Sequence, residues 1–515
     1  MSHLNQKTMK TKTYVFGIFF ALLALFITCE NEPSQIDEAI QNTIVDDPLA
    51  NLPRLENPYS VSNMRKALES LQSKTTKGPD NPYTALNIRP THLYVKFTPR
   101  NEHELLAVKQ DTLIELYDYP LDVEDWVINR YSESNYRENK PPQLWASIKV
   151  DQKIPKGCPS VVLERLFIPN ENKINPRGKY NEEPFLFADE LIEESFRLTE
   201  NDLSNITAKA AEWTPSGNIK AQNRPLQGLK VRARRWFTTH VGFTNSVGNF
   251  TCNGKFKRPA NYSLVFERKS VFDVRDGTFG QANVDGPKIK TPWVYNATAG
   301  RPLNYSYVYK AAFDYFYKNP FGTHDPPSSP GTSNALKISY YHQNGGSGFH
   351  AWKTWFTPAK ILLPLNLFIT SSPIRIYREN YTATKIYAVT AHEIAHAAHW
   401  KLIIDAVNSN RWNDYQLAKS ELVESWAVFM ETRFTRHFID SSYKRWPEEE
   451  EYRRFSFNGY TDFFNEVFDT TNYTPLQMDQ GLVGASNLTE WVQNIKNLYD
   501  GDETKLDDIF KIYNP

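Results

Sequence analysis

Apolar and polar positions along this chain repeat with two different periods, and the changes of period divide it into regions. His92-Leu93-Tyr94-Val95-Lys96-Phe97 alternates as a strand does. Asn101-Glu102-His103-Glu104 then opens a segment with Leu105, Leu106 and Val108 at helical spacing, and Thr112–Tyr117 reads as the next strand. This β-α-β run predicts a small α+β domain over 91–212. From Pro225 the pattern shortens to brief apolar runs broken by Gly and Asn, ending near Tyr262-Ser263-Leu264-Val265-Phe266. Short strands between such turns predict a β-sandwich over 222–275. From 291 to 515 helical periods dominate. Tyr381 to Asp405 contains neither Pro nor Gly, and Ile386, Val389, Ile394, Ala397 and Ala398 predict a buried helix there. Leu422, Trp426 and Phe429 predict a second helix over 421–431. Strands are expected at Lys337–Tyr341 and from Lys360 to Thr370. The fold class is multidomain α+β.

Upstream of residue 91 the pattern is different. Lys7, Lys10 and Lys12 precede an apolar stretch from Tyr14 through Ile27, which ends at Cys29. That is the outline of a secretory signal, and it is shorter than the roughly 20 residues needed to span a bilayer. Leu25-Phe26-Ile27-Thr28-Cys29 resembles a bacterial lipoprotein signal over 1–29, in which Cys29 is lipidated. Phe26 and Thr28 depart from the leucine usual three before that cysteine and from the small residue usual just before it. The resemblance implies a cell-envelope protein, on the outer membrane or cell surface, held to the membrane by its lipid anchor. Residues 30–90 are polar and punctuated by proline, and read as a tether carrying one short helix near Ser62–Gln72.

Composition narrows the functional classes. Lys+Arg and Asp+Glu both number 59, so no global field draws the chain to nucleic acid. The basic-aromatic run Arg232, Arg234, Arg235 and Trp236 is too small to change that, and no nucleic-acid partner is expected. Besides Cys29 there are only Cys158 and Cys252, with no CxxC pair, which excludes a thiolate metal cluster. Those two can form one disulfide or remain two buried thiols.

The chemistry-bearing segment is Thr390-Ala391-His392-Glu393-Ile394-Ala395-His396. Residues four apart share one helix face, so His392 and His396 can offer two imidazoles to one Zn2+. Glu393, beside the first histidine, is placed to act as general base. A chance HExxH in a chain this long has a frequency of roughly one or two per cent. Leaving His and Glu unpaired on a buried helix would also be costly. A two-histidine site needs a third ligand, and two acids on the following helix compete for that role, Glu424 and, one turn earlier, Glu421.

Glu424-Ser425-Trp426-Ala427-Val428-Phe429-Met430-Glu431 resembles the E-G-F-A-x-Y-x-E helix of gluzincins in the aminopeptidase-like branch. These are HExxH zinc peptidases that take a glutamate as third ligand. The resemblance implies a zincin-like metallopeptidase domain over 291–515, with Glu424 as the ligand and Glu431 as the later acid. Three departures matter, the first being the 27 residues between His396 and Glu424, a longer gap than in the aminopeptidases. Thermolysin-like relatives carry an aspartate four residues after the ligand, where this chain has Val428, so Glu431 or Glu421 must orient the histidine. The G-x-M-E-N-type recognition strand of the aminopeptidases is absent, so their specificity does not transfer. His399 stands where metzincins have glycine, and residue 402 is Leu402 instead of the third histidine. It reads as a structural, ligand-orienting or substrate-contacting residue. Among His437, Tyr443, Tyr452 and Tyr460, Tyr460 is taken as the partner for the oxyanion. The run Pro225-Leu226-Gln227-Gly228-Leu229-Lys230-Val231 with Gly242-Phe243-Thr244-Asn245 resembles the carboxypeptidase regulatory-like (prealbumin-like) sandwich.

These readings combine into one expectation: zinc-dependent hydrolysis of peptide bonds in extracellular or periplasmic proteins and peptides, glycosylated ones included. The competing class is a surface peptide- or glycan-binding lipoprotein with a structural or degenerate zinc site. A structural zinc would have four protein ligands. The Gly-rich loop His342–His350 lacks the Lys-Ser/Thr ending of a phosphate loop, so nucleotide binding is not expected.

Overall fold

The computed structural model describes residues 53–74, 83, 87–135, 140–169, 184–201, 211–327, 335–343, 345, 347–349, 373–377, 381–406, 418–445 and 460–513. Cys29, the expected leader and the expected strand from Lys360 to Thr370 lie outside them. The architecture is mixed α+β with several sheets.

The chain enters through helix α1 (Val61–Lys74), which buries Met64, Ala67 and Leu68. Tyr59, just before it, accepts a hydrogen bond from the Phe167 amide at 2.8 Å. Within the expected tether over 30–90, the described residues 53–74 are thus packed by these apolar positions. Strand β1 (His92–Phe97) and helix α2 (Glu102–Lys109) follow where the pattern places them. Asn101 caps α2 by accepting the Glu104 amide at 3.0 Å.

The expected strand Thr112–Tyr117 does not form. Asp111 takes the Leu113 amide on its side chain at 2.9 Å and the Ile114 amide on its carbonyl at 3.2 Å, and this turn chemistry overrides the β-branched pattern. Only Tyr117 makes a bridge, to Trp145. After helix α3 (Ile128–Asn135), β2 (Leu144–Lys149) and β3 (Ser160–Leu166) flank β1 in antiparallel order β2-β1-β3. Helix α4 (Pro184–Leu198) packs on α1.

The next strands are β4 (Ser216–Ala221), β5 (Arg224–Pro225), β6 (Lys230–Arg235), β7 (Thr238–Phe243), β8 (Asn249–Thr251) and β9 (Ala260–Val265). Then come β10 (Glu267–Arg268), β11 (Phe272–Asp276), β12 (Gly280–Gln281), β13 (Asn283–Ile289) and β14 (Trp293–Ala297). Two four-stranded sheets result, β13-β9-β6-β7 and β14-β4-β5 with β8 on β4. Ile219, Val231, Ala233, Tyr262, Leu264 and Trp293 from both sheets share one core. Gly217 is required where β4 runs beside β14, since a Cβ there would lie 1.9 Å from the Trp293 carbonyl oxygen. The expected bounds of 222–275 shift outward. Strand β4 begins earlier, β13 and β14 extend the sheets later, and β11 belongs to another sheet. Arg232 and Arg234 are buried, with their guanidinium groups 4.3 and 5.4 Å from the Tyr117 ring. Cys158 and Cys252 are both free and buried.

The last sheet carries the site. Helix α5 (Gly300–Lys318) precedes β15 (Leu336–Tyr341), β16 (Gly348–Phe349) and β17 (Ile374–Tyr377). The order is β10-β11-β15-β17-β16. Strands β11, β15 and β17 are parallel, and β16 is an antiparallel edge. Period-two alternation gives the sheet two unlike faces. Phe272, Val274, Leu336, Ile338, Tyr340, Ile374 and Ile376 are buried in the same core as α5 and helix α6 (Ala383–Ala406). On the alternate positions, Asp273, Arg275 and Lys337 form a buried ion cluster with Glu102 of α2. Helix α7 (Ser420–Phe438) packs along α6, and Tyr315 of α5 stacks on Phe434 of α7 at 4.4 Å. Helices α8 (Phe463–Thr470), α9 (Pro475–Gly481), α10 (Leu488–Leu498) and α11 (Glu503–Tyr513) close the chain around Phe463, Phe464 and Trp491. No helix among the described residues is long and apolar enough to cross a membrane.

Candidate metal centre

Every residue from Ile386 to Trp400 is buried, so α6 is a core helix enclosed on all sides. Polar groups on such a helix need partners, and His392 and His396 find theirs on α7. His392 Nε2 lies 3.1 Å from Glu424 Oε2, His396 Nε2 lies 3.2 Å from the same oxygen, and the two Nε2 atoms are 3.1 Å apart. Three donor atoms thus form a nearly equilateral triangle. A tetrahedral Zn2+ with bonds of about 2.0–2.1 Å has ligand-to-ligand edges of roughly 3.3 Å, so this donor set fits zinc in kind and spacing. The side chains of His392 and His396 are almost closed off, while Glu424 is 22% exposed, which puts the opening of the site on the Glu424 side.

Glu424 and Glu421 are now distinguished. Glu421 is exposed at the start of α7, whereas Glu424 faces both histidines. Burial works against charge on Glu424, yet His396 and His392 hold its carboxyl well below the usual range. Burial lowers the His392 pKa and raises that of Glu393, next to the two imidazoles. A carboxyl that binds protons more readily than usual, beside a metal triad, suits a group that takes and returns a proton.

Glu431 occupies the place where a carboxylate must stand behind His392. It is fully buried, with Oε2 3.1 Å from His392 Nδ1. It also accepts from Tyr443 Oη at 2.5 Å, Lys385 Nζ at 3.2 Å and Arg445 Nη1. An ionised carboxylate is an acceptor only. A proton on His392 Nδ1 would be accepted there, and that tautomer would leave the Nε2 lone pair facing Glu424 and His396. Val428, at the thermolysin-like position, is buried apolar core.

Tyr460 stands at the site. Its ring stacks on His392 at 5.8 Å, its hydroxyl hydrogen-bonds Glu424, and burial followed by the Glu424 charge pushes the phenol up to about 12. The next residue, Thr461, is tied to Ser425 of α7 at 2.5 Å, which fixes the backbone there. The alternatives stand elsewhere. Tyr443 is engaged by Glu431, His437 packs against Phe321 and Phe438, and Tyr452 lies outside the described residues. His399 is fully buried and outside the triad, and burial lowers its pKa to about 3.

Pattern reasoning missed Arg445 and Lys385. Neither belongs to a motif, and each reaches Glu431 only through the packing of α6, α7 and the loop after α7. Compared with family models, with curated proteins and with solved structures, the chain matches none.

Proposed function

We propose that this chain is a zinc-dependent peptidase of the gluzincin kind, and that Glu393 is its general base. The observation that carries the reading is the His392–His396–Glu424 triangle with Glu431 behind His392. Zinc bound there would supply Lewis-acid activation of water and of the scissile carbonyl. The protein residues would do the rest. Glu393 takes a proton from the attacking water and passes it to the leaving amine. The Tyr460 hydroxyl donates to the oxygen on which negative charge develops. Glu431 holds the His392 tautomer, and Glu424 counters the charge of the ion.

Among the described strands, β16 ends the sheet on one side, antiparallel to β17, and packs beside α6. An extended peptide adding to that edge would bring its backbone alongside the helix that carries His392. This supports proteins and peptides as substrates. The two four-stranded sheets over 216–297 suit a prealbumin-like spacer between this zincin-like part and a lipid anchor at Cys29, on a cell-envelope protein.

The test is cleavage of a peptide library by the zinc-loaded full chain beside its Glu393→Ala variant. Loss of about 10²–10⁴-fold in kcat, with zinc retained, is expected for removal of a general base. Cleavage unchanged in the variant would remove Glu393 from the mechanism. Zinc uptake without cleavage of any peptide would favour a binding protein.

A further inference from the structure

The opening of the triangle is bordered by a residue that no motif selects. Arg445 follows α7 in the chain, and its side chain is 18% exposed, close to the value for Glu424. Its Nη1 donates to Glu431 Oε2, the oxygen that also faces His392 Nδ1, and lies 3.2 Å from that Nδ1. Its guanidinium carbon sits 4.7 Å from the centre of the Tyr460 ring. The Tyr460 ring in turn stacks on His392. The contacts therefore close on themselves, from Arg445 to Glu431 to His392 to Tyr460 and back to Arg445.

We propose that Arg445 is a positioning residue that holds Tyr460 over the open side of the His392–His396–Glu424 triangle, by lying on the Tyr460 ring while anchored to Glu431. The inference rests on the peptidase reading above. The chemistry of the guanidinium suits both tasks at once. It is planar, permanently charged and carries five N–H donors, so one nitrogen can serve a carboxylate while the plane is offered to a ring face. A ring face attracts a cation most strongly where water is largely excluded, as at this site. Glu431 has two further cationic or hydroxyl donors in Lys385 and Tyr443. Arg445 contacts both Glu431 and the Tyr460 ring, so it links the fixed back of the site to the group at its mouth. Loss of Arg445 leaves Glu431 with His392, Lys385 and Tyr443, and the metal ligands should keep their places. What should be lost is the position of the Tyr460 hydroxyl.

The experiment is a double-mutant cycle on the full chain, with Arg445→Met, Tyr460→Phe and both together. Three quantities are read: zinc affinity by competition with a chromophoric chelator, affinity of the zinc-loaded protein for acetohydroxamate, and kcat and KM on a cleaved peptide. Arg445→Met is expected to change zinc affinity by less than about threefold. It should weaken acetohydroxamate binding and lower kcat by about tenfold each, the size of one partly desolvated cation–ring contact, with KM nearly unchanged. The double variant should be no worse than Tyr460→Phe alone, because both remove the same hydroxyl placement. Losses that multiply, or acetohydroxamate affinity within twofold of wild type in Arg445→Met, overturn the proposal. Should Arg445→Met fail to fold, Arg445→Lys keeps the ion pair with Glu431 but loses the planar fork. It is then expected to weaken acetohydroxamate binding at least threefold, and wild-type affinity in that variant is the contrary result. A wild-type chain that takes up no zinc sinks the peptidase reading and this proposal with it. A wild-type chain that binds zinc and acetohydroxamate, with Arg445→Met indistinguishable from it, sinks only the role of Arg445.

Discussion

Glu102 lies at the start of α2, yet it is the anion on which the rear face of the site-bearing sheet depends. Its carboxylate is fully enclosed and meets Arg275 at 2.9 Å and Lys337 at 2.8 Å. Burial alone would raise its pKa, but Arg275 first and Lys337 second outweigh it and bring the carboxyl down to about 2. Lys337 itself is lowered by burial while Arg275 is raised, so the guanidinium is the stronger partner. The fall from the ordinary 4.5 to about 2 corresponds to about 3 kcal/mol of linked stability at neutral pH. Because the folded pKa is the lower one, this contribution is complete above the unfolded value and is lost as pH falls toward the folded one. At pH 3 about 1 kcal/mol of it should remain, by the same linkage relation. Glu102→Gln removes the titrating group, so its deficit against wild type should shrink from about 3 kcal/mol at pH 7 to about 1 kcal/mol at pH 3. Urea unfolding followed by tryptophan fluorescence at the two pH values measures this. Other carboxylates titrate in both proteins and cancel in the difference. A deficit below about 1 kcal/mol at pH 7, or one equal at both pH values, would refute the reasoning.

Two further outcomes follow from particular contacts. Glu431→Gln should weaken zinc binding by about 10–100-fold in chelator competition, because the carboxylate that orients His392 loses its charge; unchanged affinity would mean that His392 needs no such support. Trp426→Ala, at a fully buried position between Phe429 and Phe464, should cost about 3–5 kcal/mol in urea unfolding, and a loss under about 1 kcal/mol would show that α7 is not held by this core.

Much of the site was legible because its spacing is local. His392, Glu393 and His396 fall within one helical turn and a half, and Glu424 and Glu431 bracket an apolar run within one helix. Sequence left Glu421 and Glu424 competing as third ligand, and Glu421 and Glu431 competing to orient the histidine. Only packing decides such questions, since helix neighbours one turn apart differ in direction and not in chemistry. Arg445 was illegible for a related reason: an arginine in a loop has no periodic neighbour to betray where its guanidinium goes. In the fold, β1, α2, β15, α6 and α7 followed their periods. Thr112–Tyr117 did not, because one aspartate at residue 111 can capture the two amides that a strand would have used. The burial of Glu102, Arg275 and Lys337 could not be foreseen either, as alternating charged positions on β11 and β15 look like a solvated face until α2 covers them.

The most direct measurement is the zinc content of the purified full chain, compared with its Glu424→Ala variant after dialysis against a weak chelator. One zinc per wild-type chain and none in the variant is the expected result, since two imidazoles alone make a poor site for the ion. No zinc in the wild-type chain, or zinc held equally by Glu424→Ala, would contradict the His392–His396–Glu424 centre on which the account stands.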